Sequence, residues 1–291
     1  MLRQLFKGIK RQVEQMLIRY LDRYLKPRLK LVELELATLI KDEFSKTRVE
    51  QIRQSKDKIF TFNVPLIHAF HQKYPNVGQI TMYLPNVSVD HIQTCIVVDN
   101  DFYDTHVMQQ ADKYFKDEAN ILDLGSNIGS NALYYALVRK AKKVYAFEPL
   151  KKAYEILCKN IELNSLQDVI VPHNMALGEK IGKASIKYSP TFSMGGTALK
   201  NDENGNLVVK SLDELQKEGC FVNKIDFLKI DVEGFESHVL RGGGVFLEYH
   251  NPVIQIEIWS NKYSEVSDIL HSYGYKMVEK IGHADYVFLR N

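Results

Sequence analysis

The sequence Asn120-Ile-Leu-Asp-Leu-Gly-Ser-Asn-Ile-Gly-Ser-Asn131 is a short apolar strand pattern that runs directly into a glycine-bearing turn. A helix pattern follows it over residues 132–138. Gly125 and Gly129 have no side chain, so this turn can bring backbone N–H groups and a helix N-terminus against a ligand. The stretch therefore predicts a ligand-binding strand–turn–helix unit that begins an α/β sheet.

The chain after this unit alternates between strand and helix patterns. Residues 153–163 have helical apolar spacing between two strand patterns, which is typical of βαβ units and a largely parallel sheet. Residues 183–187 and 207–210 interrupt the alternation and indicate an inserted antiparallel hairpin. The strand patterns lie at residues 121–124, 143–147, 169–173, 225–230, 253–258, 275–279 and 285–289.

Composition and charge narrow the class of protein. The hydrophobic fraction of 45% is enough for a buried core, and the three cysteines form no C-x-x-C pair, so we expect a reduced, cytoplasmic protein. Residues 1–30 contain nine Lys/Arg and two acidic residues, a charge of +7. Because the whole chain carries +2, the remainder carries −5. A main body of this charge is not expected to bind nucleic acid.

The N-terminal segment, residues 1–55, has apolar residues spaced by three and four, with an interruption at Pro27. This pattern predicts a helical extension that forms a homo-oligomer through a coiled coil. A basic amphipathic helix in contact with an anionic membrane surface, or a plain helix packed on its own domain, are the alternatives.

Residues 56–119 are expected to form a lead-in segment that supplies a lid or an acceptor-side wall before the domain at residues 120–291. Short strand patterns lie at residues 61–65, 80–84 and 94–98. His68 and His71 are three residues apart, but no carboxylate ligand lies near them in the sequence, so we do not expect them to bind a metal.

The glycine turn has the spacing Asp123-x-Gly125-x-Asn127-x-Gly129. The three-glycine pattern that packs against the pyrophosphate of a dinucleotide is absent, and an additional acid is present. This suits a zwitterionic nucleoside without phosphate, S-adenosylmethionine, with Asp123 near its ammonium group and the backbone donors near its carboxylate. Ser126 belongs to the same predicted cofactor site. A purely structural strand-to-helix turn is the alternative.

The second strand of this domain ends in an acid, Glu148, followed by Pro149. Both oxygens of a carboxylate are acceptors, so Glu148 can bind the two vicinal hydroxyls of a ribose. Capping of the next helix by Glu148 and Pro149 is the alternative. Asn174, just after the third strand, is a candidate for the adenine edge or a turn former.

The fourth strand ends in Asp231, and Glu233 lies two residues further on. Ligands in open α/β sheets lie beyond the carboxyl ends of the strands, so both are candidate general bases for an acceptor hydroxyl. Alternatively Asp231 orients the cofactor and Glu233 shapes the turn. No cluster of His, Asp and Glu stands out in the sequence, so we expect no metal site. The alternative is a metal held by these carboxylates, which would position vicinal hydroxyls and lower the pKa of the acceptor hydroxyl.

Four motifs together resemble the FkbM family of S-adenosylmethionine-dependent methyltransferases: Asp123-Leu-Gly-Ser-Asn-Ile-Gly129, Phe147-Glu-Pro149, Asn174-Met-Ala-Leu-Gly178 and Leu228-Lys-Ile-Asp-Val-Glu-Gly-Phe-Glu-Ser-His-Val-Leu-Arg-Gly242. The resemblance implies a Rossmann-like class I methyltransferase sheet of seven strands, with the last strand antiparallel. It also implies O-methyl transfer, often to sugars of glycans or natural products.

By matching position, the resemblance assigns Asp123, Gly125, Asn127, Gly129 and Glu148 to the cofactor, and Asp231 to the cofactor–substrate boundary. We therefore expect an O-methyltransferase that acts on a sugar hydroxyl. An NAD-dependent enzyme on a similar sheet, and an oligomeric scaffold without catalytic activity, remain as alternatives.

Overall fold

The computed structural model describes residue 43 and residues 45–63, 79–190 and 193–290. The predicted coiled coil lies almost entirely outside these residues, as do His68 and His71, so the homo-oligomer and the membrane contact stay predictions. In the described part of the chain, no helix is both long and apolar enough to cross a membrane.

The described residues form thirteen strands, which are, in chain order, β1 (Ile59–Asn63), β2 (Gln79–Tyr83), β3 (Asn120–Leu124), β4 (Lys143–Phe147), β5 (Ile170–His173), β6 (Ala176–Leu177), β7 (Gly182–Tyr188), β8 (Ala198–Asn201), β9 (Leu207–Lys210), β10 (Phe227–Ile230), β11 (Val253–Glu257), β12 (Tyr275–Ile281) and β13 (Asp285–Arg290). The α-helices that they include, from His91 onward, are α1 (His91–Asp99), α2 (Thr105–Ala111), α3 (Ser130–Leu137), α4 (Lys151–Leu163), α5 (Leu212–Lys217), α6 (Glu236–Arg241), α7 (Gly244–His250) and α8 (Tyr263–Ser272).

Seven strands form the main sheet in the order β12-β13-β11-β10-β3-β4-β5. Its neighbours pair in parallel except β13, which is antiparallel to both β11 and β12. The predicted seven-stranded sheet with an antiparallel last strand is therefore confirmed.

The central strands are buried on both faces because helices cover each side of the sheet. In β3, Ile121 belongs to the core under α1 to α4, whereas Leu122 and Leu124 belong to the core under α5 to α8. Near-continuous apolar strands are what a doubly covered parallel sheet requires. The carboxyl ends of β3, β4, β10 and β11 consequently lie along one edge of the sheet.

The lead-in strands β1 and β2 form an antiparallel pair, and two asparagines of α4 hold β2 in place. Asn160 is fully buried, accepts from the backbone N–H of Tyr83 at 2.6 Å and donates to the carbonyl oxygen of Ile128 at 2.8 Å. Asn164 pairs with both backbone groups of Thr81. The lead-in segment is thus fixed to the glycine turn through one buried side chain.

The strand expected at residues 94–98 is wrong, because these residues lie within α1. The carboxylate of Asp90 accepts from the backbone N–H of Gln93 at 3.0 Å and so caps the helix. Ile96 and Val97 are buried in the core. The cap and the packing outweigh the weak strand preference of β-branched residues.

The insertion after β5 is a four-stranded sheet in the order β6-β9-β7-β8. The predicted hairpin partners β7 and β9 do pair antiparallel. The sheet is larger than expected, because β8 adds to β7 and β6 pairs in parallel with β9.

The turn after β3 tolerates no side chain at its first position. Gly125 has a φ of +84°, and a Cβ atom there would overlap the carbonyl oxygen of Asp231. The Asp231 N–H also donates to the carbonyl oxygen of Leu124 at 3.0 Å, which holds the ends of β3 and β10 together.

Replacing Gly125 with alanine should destabilise the protein by about 3 kcal/mol or more, because a strained backbone and a steric overlap add up. The matched control is Gly219→Ala, which also has positive φ but has no atom within 4 Å of the added methyl group. We expect the control to cost about 1–2 kcal/mol, the strain alone. Denaturant unfolding measures both, and equal losses would contradict the predicted contact.

Candidate active site

A cavity of about 490 Å³ lies at the carboxyl ends of β3, β4, β10 and β11. Its volume is within the range of small-molecule sites, and parallel sheets bind their ligands at this edge. Most of the predicted site residues line it, namely Gly125, Ser126, Asn127, Glu148, Pro149, Asp231 and Glu233. Three do not, namely Asp123, Gly129 and Asn174.

The backbone donors of the glycine turn are partly used inside the protein. The N–H groups of Gly125 and Ser126 both donate to the carbonyl oxygen of Phe147 at 3.0 Å. Gly129, with φ +93°, precedes the first residue of α3. Ser130 and Asn131 in the first turn of α3 line the cavity, so their N–H groups are the donors placed for an anionic ligand group.

Glu148 is the residue best placed for vicinal hydroxyls. It is 5% exposed, and its two carboxylate oxygens accept from the backbone N–H groups of Asn127 at 2.9 Å and Leu150 at 2.8 Å. Burial raises its pKa to about 7, against the lowering effect of these two hydrogen bonds. A carboxylate has about four acceptor positions, so two remain for a ligand.

Asn174 supports the end of β4. Its side-chain amide donates to the carbonyl oxygens of Glu148 and Pro149, at 2.8 and 3.1 Å. The side chain therefore fixes the backbone around Glu148, whereas the sequence indicated the adenine edge or a turn.

Asp123 lies beneath the turn, behind the cavity wall. It is fully buried, and neither of its carboxylate oxygens has a hydrogen-bond partner among the described residues. It pairs in register with Lys229 of β10. Burial raises the pKa of Asp123, and the nearby ammonium of Lys229 opposes that shift. The structure thus gives Asp123 a cationic neighbour within the protein.

Three carboxylates meet at the ends of β10 and β11. One oxygen each of Asp231, Glu233 and Glu257 lie within 4.8 Å of one another. Lys229, itself buried, donates from Nζ to Asp231 Oδ2 at 2.8 Å. A set of this kind was not expected from the sequence, because Glu257 lies within the apolar strand pattern at residues 253–258, outside any motif. It is a set that a divalent cation can bind, so the expected absence of a metal stays a prediction.

The three carboxyl groups have different proton affinities. Burial acts to raise the pKa of Asp231, but the charge and hydrogen bond of Lys229 bring it below its usual value. Burial and the charge of Asp231 raise the pKa of Glu257 to about 9, and a hydrogen bond links these two side chains. Burial and the same charge raise the pKa of Glu233 to about 7. At neutral pH, Asp231 is ionised, Glu257 holds a proton and Glu233 titrates.

The insertion contributes one wall of the cavity. Ser193, Met194 and Gly195 line it, and the backbone N–H of Met194 donates to Asp90 Oδ2 at 2.8 Å. The other oxygen of Asp90 caps α1, so one side chain joins this wall to the lead-in segment. His91 and Tyr103 of the lead-in segment, residues 56–119, line the cavity as well, and the acceptor-side role of this segment stays a prediction.

Residues 123–277, more than half of the chain, match the methyltransferase FkbM domain. The chain belongs to this family, and its sheet is that of a class I methyltransferase. It is similar to Methyltransferase 1 of Beauveria bassiana, at 26% identity over 44% of this chain and 59% of that protein. It is also similar to the hexuronic acid methyltransferase AglP of Haloferax volcanii, at 31% identity over 45% of this chain and 53% of that protein.

The matches thus span little more than half the length of these curated relatives. Among solved structures, the methyltransferase FkbM from Methylobacillus flagellatus KT shares 18% identity, with a TM-score of 0.45 over 60% of this chain and 44% of that one.

The affinity for S-adenosylhomocysteine should rise from pH 5.5 to about 7 and then level off. Ligand hydroxyls that donate to Glu148 favour its ionised form, and the pKa of Glu148 in the free protein is about 7. Below that pH, binding must first remove a proton. Glu148→Gln should weaken binding by about 1–3 kcal/mol and flatten the pH dependence.

Calorimetric titration across this pH range measures the effect. Glu233→Gln is the matched control, because it removes the other cavity carboxyl with a pKa of about 7 and should leave the pH dependence in place. A wild-type affinity that does not change with pH would contradict the assignment of Glu148 to the hydroxyls.

Proposed function

We propose that the protein is an S-adenosylmethionine-dependent O-methyltransferase that acts on a sugar hydroxyl of a glycan or glycosylated natural product. The observation that carries this proposal is the convergence of Glu148 and of the Asp231–Glu233–Glu257 cluster on one cavity. Membership in the FkbM family and the similarity to a hexuronic acid methyltransferase support it.

The residues of the cavity fit this cofactor. Glu148 has free acceptor positions for a ribose diol, and the start of α3 offers N–H groups for a carboxylate. Apolar side chains beside them, including Phe147, Leu150 and Met175, suit a purine ring. The ionised Asp231 stands next to these groups and favours a positive charge in the cavity.

Bound S-adenosylmethionine supplies a methyl group that is already activated on a positively charged sulfur. The protein must then align an acceptor oxygen and remove its proton. Glu233 is the favoured general base, because its pKa of about 7 allows it to be ionised at neutral pH and still bind a proton well. Asp231 is held ionised by Lys229 and is the weaker base.

Glu257 completes this arrangement as a hydrogen-bond donor. Its raised pKa keeps its carboxyl group protonated at neutral pH, so it can donate a hydrogen bond to Asp231 or to an acceptor hydroxyl. Two neighbouring carboxyl groups with separated pKa values are a common basis for distinct acid and base roles.

The function is tested with methyl-labelled S-adenosylmethionine and a fractionated lysate of the source organism. Label in the glycan or lipid-linked sugar fraction is the expected result. Label confined to protein, nucleic acid or small molecules would keep the methyl transfer and remove the sugar. The absence of label from all fractions would contradict the proposal and favour the scaffold alternative.

Glu233→Gln should lower the rate of label transfer by about 100-fold or more, the usual contribution of a general base, while the affinity for S-adenosylhomocysteine is retained. The wild-type rate should rise with pH around a midpoint near 7, where Glu233 becomes ionised. Glu265→Gln is the control, because Glu265 is a half-buried carboxylate, paired with Arg241 and Lys262, that does not line the cavity. An unchanged rate in Glu233→Gln would assign the base to another group.

A further inference from the structure

The cavity is lined by several acidic side chains. Its acceptor end is the part formed by Asp231, Glu233, Glu257 and Trp259. Five carboxyl groups line the cavity, those of Asp104, Glu148, Asp231, Glu233 and Glu257. No lysine or arginine is present among its described lining residues. Lys229 lies behind this surface, and its charge is directed to Asp231.

The same excess of acid continues beyond the cavity. A neighbouring cavity of about 540 Å³ shares His91, Tyr103 and Asp104 with the first. Asp104, which lines both cavities, is the acidic group that they have in common, and neither cavity has a lysine or arginine among its described lining residues.

A negatively charged acceptor fits this surface poorly. A phosphate or carboxylate placed here would face carboxylates without a lysine or arginine to pair with, and like charges repel each other more strongly in a partly buried site than in water. Uncharged hydroxyl groups, in contrast, can donate hydrogen bonds to these oxygens.

Trp259 provides an apolar surface beside the carboxylates. It follows Glu257 by two residues, and the residue between them, Ile258, is buried in the core. Since successive side chains of an extended segment alternate, Glu257 and Trp259 are on the same side. Trp259 lines the cavity and is 47% exposed. An indole face next to several acceptors matches a ring that is apolar on its C–H face and carries hydroxyls at its edge.

We propose that the acceptor end of the cavity is a subsite for an uncharged sugar ring, which stacks on Trp259 and presents its hydroxyl groups to Glu233 and Glu257. This proposal rests on the proposed methyl transfer to a sugar and adds the charge class of the acceptor and its aromatic platform. It also separates this chain from its relative AglP, whose name specifies a hexuronic acid.

The test uses the intrinsic fluorescence of the protein, because Trp259 is the single tryptophan of the chain and its emission reports on this subsite. In the presence of S-adenosylhomocysteine, the wild-type protein is titrated with pairs of methyl glycosides, each a neutral hexopyranoside and its hexuronate. The pairs are those of glucose, galactose and mannose. We expect at least one neutral glycoside to change the emission, and its hexuronate to bind at least about tenfold more weakly.

Three variants locate the effect. Tyr249→Ala removes an exposed aromatic side chain that does not line the cavity, and should leave the titration unchanged. Trp259→Ala should abolish methyl transfer to the neutral glycoside that binds, with unchanged calorimetric affinity for S-adenosylhomocysteine. Trp259→Phe should recover part of the transfer, because it restores an aromatic face.

Equal or tighter binding of a hexuronate would overturn the proposal, and so would a titration in which none of the glycosides changes the emission. If label from S-adenosylmethionine still enters a lysate fraction in that case, the methyl transfer stands and the sugar subsite is removed. If S-adenosylhomocysteine itself does not bind, the proposed function fails together with the subsite.

Discussion

The close approach of Gly125 to the carbonyl of Asp231 constrains both the central strands of the sheet and the site at their ends. It joins the ends of β3 and β10, the two adjacent strands at the centre of the sheet. The glycine turn and the carboxylate of Asp231, which both line the cavity, are thereby placed on opposite sides of one short contact. Since a side chain at position 125 would separate them, a single glycine couples the integrity of the fold to the geometry of the site.

Several charged side chains lie buried or half-buried around this contact. Lys229 and Asp231 form a hydrogen-bonded ion pair, and Asp123 lies buried next to the same ammonium group. Breaking such a pair from one side leaves an uncompensated charge, so these residues depend on one another. The consequence appears at the surface of the cavity, where Asp231 stays ionised and its neighbours Glu233 and Glu257 retain protons into the neutral range or above. Burial of these charges is costly for stability, but it gives the three carboxyl groups of Asp231, Glu233 and Glu257 different pKa values and thus different roles.

The sheet and the larger part of the site were predictable from the sequence, because they depend on local patterns. Strand–helix alternation indicated the parallel sheet, and the strand-end positions of Glu148, Asp231 and Glu233 placed them at one edge. Glu257 was missed although it obeys the same rule, since it ends an ordinary apolar strand outside any motif. The positions of Asp123 and Asn174 were also not predictable, because they depend on groups of neighbouring strands: Lys229 of β10 lies beside Asp123, and the backbone after β4 accepts from Asn174.

Long-range contacts account for the remaining differences. The wall formed by the insertion depends on a hydrogen bond from Met194 to Asp90, residues that are 104 positions apart. The helix at residues 94–98 depends on the same aspartate as its cap. The bond to Met194 is invisible to local propensity, whereas the cap is local, since Asp90 accepts from Gln93 three residues later. The β-branched run indicated a strand because its strand preference was given more weight than this cap.

We propose that the cavity at the glycine turn holds an adenosyl amino acid cofactor without phosphate. Calorimetric titration of the full chain with S-adenosylhomocysteine and, in parallel, with NADH tests this proposal. We expect one S-adenosylhomocysteine per chain and no measurable binding of NADH, because the described wall of the cavity offers carboxylates and no lysine or arginine to a pyrophosphate. Binding of NADH without binding of S-adenosylhomocysteine would contradict it.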